Sequence, residues 1–446
     1  MWRRSQFPPA IVSHKQRARV MKTKYKWRFK SRFRRGAYGW RGTALASKRL
    51  REAVSEIKKV NRSDPVLAAE GAVTLMERVW PALQGIDGSS GALGNAVNRT
   101  IDALTPILAD APADIETRRE LLERLHRAVQ EDGVEFLSNA EEHWGELCVF
   151  PELVNEWVDR LLPGLKECWE NRRPGDFFIG TSACLSCLLE AGRYDELEDI
   201  LSLRNLRFWP YNKYQAEAPR RRGRIDEAIG YAESRLGNEY ERQKILEFCE
   251  ATLLGAGRKN EAYRRYATSI RVGNTYLAQH RAIVKKYPER DPREILLDLM
   301  ESSDNRGAWF ASAHRSGFMD IAKECATSGY VEPGTLVRAA RDTAESQPEL
   351  AAAVALRAIG LLLQGYGQEE TTSDTTAAFD YLITAANNAN ATPWAVSELS
   401  RLLDRQPPNY DQVSENVLRG MLNRSLETAP PDQTGDQRWP MSGSPV

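Results

Sequence analysis

From about residue 43 onward the apolar positions fall three and four apart, the spacing of one face of an α-helix, and strand-like alternation is nearly absent. In SDPVLAAEGAVTLMERVWPAL, Asp64 stands where a helix cap belongs and Pro65 at the first helical position. Ala72, Leu75, Met76, Val79 and Leu83 then share a face. ADIETRRELLERLHRAVQEDG follows the same plan, with Asp114 as cap, Leu121, Leu122, Leu125 and Val129 as stripe and Gly133 as stop. In RDPREILLDLM, Asp291 caps, Pro292 begins and Glu294 completes a capping box. The pattern predicts amphipathic helices joined by short turns.

Four turns share one design. EAGRYDELEDIL, RRGRIDEAIGYA, GAGRKNEAYRRY and RSGFMDIAKECA centre on Gly192, Gly223, Gly257 and Gly317, which lie 31, 34 and 60 residues apart. The last gap is two periods and holds a degenerate unit, AQHRAIVKKY followed by RDPREILLDLM. Glycine suits the left-handed backbone that ends a helix. Three residues on, Asp195, Asp226, Asn260 and Asp320 are expected to accept from the free N–H groups opening the next helix. Five and nine residues after the glycine, Leu197 and Leu201, Ala228 and Ala232, Ala262 and Tyr266, and Ala322 and Ala326 form a mostly small apolar seam. A hairpin of this kind cannot bury its face alone and must stack on its neighbours.

GRYDEL, GRIDEA and GRKNEA resemble the inter-helix turn of tetratricopeptide repeats over roughly residues 178–330. That resemblance implies a protein-binding scaffold whose array offers a groove to partner peptides or helices. The combination of RRGAYGW, RLREAVSEI, WPALQGIDGSSGALGNAV and GNTYLAQHRAIVKKYPERDPREILLDL also resembles a group of uncharacterised bacterial helical proteins, a likeness that implies no activity. The expected fold is all-α: an α-solenoid of stacked antiparallel helical hairpins, tetratricopeptide-like in the middle, with a basic N-terminal arm.

The expected plan is an arm over 1–42, helical hairpins over 43–175, repeats over 176–330, C-terminal helices over 331–426 and a disordered tail over 427–446. The polar stretch GYGQEETTSDTT is expected to be a loop between two of the C-terminal helices. The most apolar stretch, LAAAVALRAIGLLL, is too short to span a bilayer. Six scattered cysteines fit a reducing cytosol better than a disulfide framework, and a cytoplasmic protein is expected. An acid-free, Arg-rich leader also has the composition of a transit peptide, and Met21 offers an alternative start.

No catalytic constellation emerges, so no enzyme, metal or cofactor is expected. Cys184 and Cys187 in CLSC read as small buried residues three apart on an apolar face. His143, between Glu142 and Glu146, lacks the spacing of a metal site, and Glu141 and Glu142 read as solvated charge.

Charge then changes the picture at one end. The chain carries a formal +1, yet residues 1–60 hold nineteen Lys and Arg against two acids. KYKWRFKSRFRRGAYGW alternates Tyr25, Trp27 and Phe29 with Lys24, Lys26, Arg28 and Lys30, and Arg32, Arg34 and Arg35 extend the charge. An extended chain would put rings on one side and cations on the other. Rings that stack on bases beside cations that meet phosphates would bind RNA or DNA. Alternatively, the rings pack on the first hairpin and the cations face the acidic body, or the segment meets a membrane surface. The expected function is a non-catalytic protein-binding scaffold or adaptor; the alternative is a nucleic-acid-associated protein acting through the arm.

Overall fold

The computed structural model describes residues 25–171, 178–204, 207–237, 239–367, 372–405 and 411–428. Lys24, Met21 and the expected tail beyond Thr428 lie outside them. Among the described residues every regular element is helical and none is a strand. The chain divides into two compact units, 1–258 and 259–446.

The first unit opens with a 3-10 turn, Arg28–Ser31. Four long helices follow: α1 (Thr43–Asn61), α2 (Pro65–Leu83), α3 (Ala92–Ala109) and α4 (Ile115–Gln130). Two short helices, α5 (Ser138–Glu141) and α6 (Trp144–Cys148), lead to α7 (Pro151–Asn171). Paired helices complete the unit: α8 (Thr181–Glu190), α9 (Tyr194–Ser202), α10 (Trp209–Arg221), α11 (Ile225–Ser234) and α12 (Glu239–Gly255). Packing runs neighbour to neighbour, α1 on α2 and α3, α7 on α8, α10 on α11, α11 on α12. This is how helices with one apolar face bury it.

The caps form as expected: the Leu67 N–H donates to Asp64 (3.0 Å) and the Thr117 N–H to Asp114 (2.9 Å). The stripe of α4 also contains a residue that hydropathy does not select. Arg118, one turn before Leu121 and Leu122, is buried and donates to the carbonyls at the end of α3, including Ala111 O at 2.7 Å. A cation supplied to a helix C-terminus satisfies its free acceptors. Burial pushes this guanidinium below its ordinary pKa.

The second unit begins with α13 (Lys259–Ala262), which runs into a π-helical turn, Tyr263–Ala267. Then come α14 (Tyr276–Lys286), α15 (Pro292–Glu301), α16 (Phe310–Arg315), α17 (Met319–Ser328), α18 (Pro333–Thr343), α19 (Pro348–Leu363), α20 (Thr372–Asn388), α21 (Thr392–Asp404) and α22 (Gln412–Thr428). Here too α18 packs on α19 and α19 on α20. Thr372 to Thr376, assigned to a loop on polarity, instead open α20, and the buried hydroxyl of Thr375 lies 3.2 Å from that of Ser414. Reciprocal hydroxyls let polar residues occupy a buried helix turn.

Candidate functional site

Two features stand out: the N-terminal segment and the repeated turns. Residues 25–42 do not run as an isolated extended arm. Trp27 (2% exposed), Phe29, Phe33 and Tyr38 belong to the core formed by α1 and α2. Trp27 fits where α2 has Gly71, since a Cβ there would overlap the indole. The backbone is fixed as firmly. The Arg28 and Phe29 N–H groups donate to the Glu56 carboxylate at 2.8 and 3.2 Å, Gly36 N–H to Pro81 O at 2.9 Å, and Arg78 to Phe33 O at 3.2 Å. Burying each ring contributes about 1.5–3 kcal/mol.

The 3-10 turn breaks the strict alternation, but its outcome is the same separation: rings inward, cations outward. Lys26, Arg28, Arg34 and Arg35 are exposed and Lys30 is half-buried. Arg32 pairs with Glu52, which also takes Arg49 at 2.8 Å and is held below the ordinary carboxylate range by that bond. Tyr25 (41% exposed) and Trp40 (68%) are the large rings left open to solvent at the ends of the segment. Trp27 and Phe29, placed by sequence among candidate base-stacking residues, are enclosed by the fold.

The four expected turns share one geometry. Gly192, Gly223, Gly257 and Gly317 have φ of +71, +77, +77 and +82°. In each, the next residue donates its N–H five residues back: Arg193 to Leu188, Arg224 to Pro219, Arg258 to Leu253 and Phe318 to Ala313, all at 2.9–3.0 Å. The seam is buried at Leu197, Leu201, Ala228, Ala232, Ala262, Tyr266, Ala322 and Ala326. Two further turns repeat the bond: Gly365, before Tyr366, and Asn390, before Ala391. Asparagine tolerates the left-handed region through its short polar side chain.

The residues three after the glycine do not serve as expected. The cap positions are Arg193, Arg224 and Phe318, none with a side-chain cap, and Asp195, Asp226 and Asp320 lie inside the first helical turn. The turn already places the cap position one residue after the glycine, which leaves the acid too far along to cap. Three of the four instead reach a neighbouring hairpin. Asp226 takes Arg258 at 2.7 Å, Asn260 accepts from Arg290 at 3.3 Å, and Asp320 takes Arg293 at 2.9 Å. The Arg293 guanidinium holds the Asp320 carboxyl down at about 2. Arg193 likewise reaches back to Asp159 at 2.8 Å. The glycine–arginine pairs at 192–193 and 257–258 thus tie consecutive hairpins along one edge.

The remaining candidates sit in the core or on open surface. Cys184 and Cys187 are fully buried, and burial pushes the Cys184 thiol up to about 12 and Cys187, beside Cys148, well above its ordinary value. A thiol so disfavoured as thiolate is a packing group. His143 contacts Glu146 at 3.3 Å. Glu142 pairs with Lys213. Glu141, read from sequence as solvated charge, is buried between α5 and the start of α8, where desolvation and the nearby Glu135 raise its carboxyl to about 7. Among the described residues no group of three or more His, Cys, Asp or Glu is placed to hold a metal ion, and no helix is long and apolar enough to cross a membrane.

The described residues therefore define an all-α protein of helical hairpins stacked neighbour to neighbour. No protein-family model matches the chain, and no curated protein matches it. Among solved structures it is similar to a circular tandem repeat protein with novel repeat topology and enhanced subunit contact surfaces. The identity is 14%, the match covers 86% of this chain and 90% of that one, and the TM-score is 0.15. A likeness at that score carries no argument about fold or function.

Proposed function

We propose that the chain is a non-catalytic scaffold that binds a protein partner through its stacked hairpins, those of residues 178–258 in the first unit and 259–330 in the second, tetratricopeptide-like in their turns. The observation that carries the reading is the shared turn: a left-handed glycine, a returning N–H bond and a buried small-residue seam in the second helix. Repetition of one supersecondary unit builds an extended surface whose side chains vary while its backbone does not.

Cross-linking mass spectrometry on the full chain with its co-purifying proteins tests this. The exposed lysines Lys244, Lys259, Lys285 and Lys323 should link to one recurrent partner protein. Partner links confined to residues 25–62 would contradict it.

A further inference from the structure

We propose that the outward face of α1, together with the 3-10 segment packed beside it, binds the phosphodiester backbone of a nucleic acid. The proposal goes beyond the scaffold reading and does not depend on it. Residues 25–62 carry thirteen Lys and Arg against only Glu52 and Glu56. Both acids are engaged within the fold, Glu52 by Arg32 and Arg49, Glu56 by the N–H groups of Arg28 and Phe29. The other eleven cations have no carboxylate partner among the described residues. Residues 1–24 add seven more Lys and Arg and no acid, so the preceding sequence supplies no carboxylate to neutralise the face.

The arrangement is periodic. Lys48, Arg51, Ser55, Lys58 and Arg62 are all exposed at helical spacing, so four cations form a stripe about 21 Å long with about 5–10 Å between neighbours. At that spacing each cation can meet a separate phosphate of one strand. Beside it an open groove of about 740 Å³ is lined by Arg28, Arg32 and Lys59 together with Glu52, Glu56 and Asp64, so its cations and carboxylates balance. On the other flank a second groove of about 490 Å³ is lined by Arg51, Lys58, Lys59 and Arg62. A linear polyanion laid along this second groove meets Arg51, Lys58, Lys59 and Arg62 with no carboxylate in the lining. A bilayer takes in apolar anchors, and in this layer Tyr25, Trp40 and Leu45 stay exposed while Trp27, Phe29 and Phe33 are in the core. Because those rings are enclosed, recognition rests on phosphate rather than on base stacking along the segment, and it is sequence-independent.

The test is fluorescence anisotropy of a labelled oligothymidylate of about 20 nucleotides with the full chain, at about 50 and about 200 mM salt. Wild type should bind at the lower salt and lose at least about tenfold in affinity at the higher. The triple variant Arg51→Glu, Lys58→Glu, Arg62→Glu changes solvent-facing side chains only and should bind at least about tenfold more weakly with an unaltered melting temperature. Reversing the exposed Lys285, Lys323 and Arg338 in the same way should leave affinity within about twofold. The proposal is overturned by no binding at the lower salt, or by equal affinity of wild type and the α1 triple variant. Binding to phosphatidylserine vesicles with none to the oligonucleotide also overturns it.

Discussion

The N-terminal layer (residues 25–62) and the repeats that follow α7 use arginine in opposite ways. In the repeats, Arg193, Arg221, Arg224 and Arg258 each hold a carboxylate, and three of them reach across to another helix. Charge there helps set one hairpin against the next. In the N-terminal layer the fold is held by rings and by backbone bonds to Glu56, and eleven cations, all but the half-buried Lys30 exposed, have no ion-pair partner among the described residues. A charge that the fold does not use still costs self-repulsion. The comparison teaches that the fold uses these arginines of the repeats and leaves most cations of the N-terminal layer open, the charge on which the proposed nucleic-acid contact rests.

The largest effect should come from the N-terminal layer. Trp27→Ala empties a site shaped by Gly71 and should cost about 3–5 kcal/mol, read as a drop in melting temperature or denaturation midpoint. An unchanged midpoint would mean that the segment is an appendage after all, and the contrast would collapse. A buried charge between the two regions should respond to pH. Glu141 titrates near 7 in the folded protein and near 4.5 unfolded, so between those values the unfolded chain releases a proton that the folded protein retains. Stability should therefore fall as pH rises through that window, by on the order of 1–3 kcal/mol, and level off above it. Glu141→Gln should flatten the profile, which thermal unfolding from about pH 4 to 8 will show.

In the repeats the expected effects are smaller. Gly223→Ala forces a side chain into φ +77° in open space, so its cost of about 1–2 kcal/mol is purely conformational. Arg258→Ala removes an exposed pair with Asp226 and should cost no more than about 0.5 kcal/mol, vanishing in high salt. A loss several times larger would show that the edge ion pairs act as a cooperative network, which would sharpen the contrast further.

Much of the fold was legible. Asp64, Asp114 and Asp291 announced their helices, and the four glycines announced their turns, because caps and left-handed residues are local requirements written within a few residues. What was not legible depends on partners distant in sequence. The site that receives Trp27 is made by the absence of a side chain at Gly71, which no hydropathy pattern reveals. Asp226 looked like a cap because its true partner, Arg258, stands 32 residues on. Arg118 carries no hydropathy signal, although its spacing from Leu121 and Leu125 puts it on the buried face. Gly365 and Asn390 make the same turn, but neither is followed three residues on by an acid.

The most direct test of the account is amide hydrogen exchange in the full chain at residues 28, 29 and 36. Their N–H groups donate to Glu56 and to Pro81 O. If the segment is a layer of the core, these amides should exchange as slowly as those of α1, by several orders of magnitude relative to an unfolded peptide. Exchange at the unfolded rate would contradict the docked layer and leave the rings free to bind elsewhere.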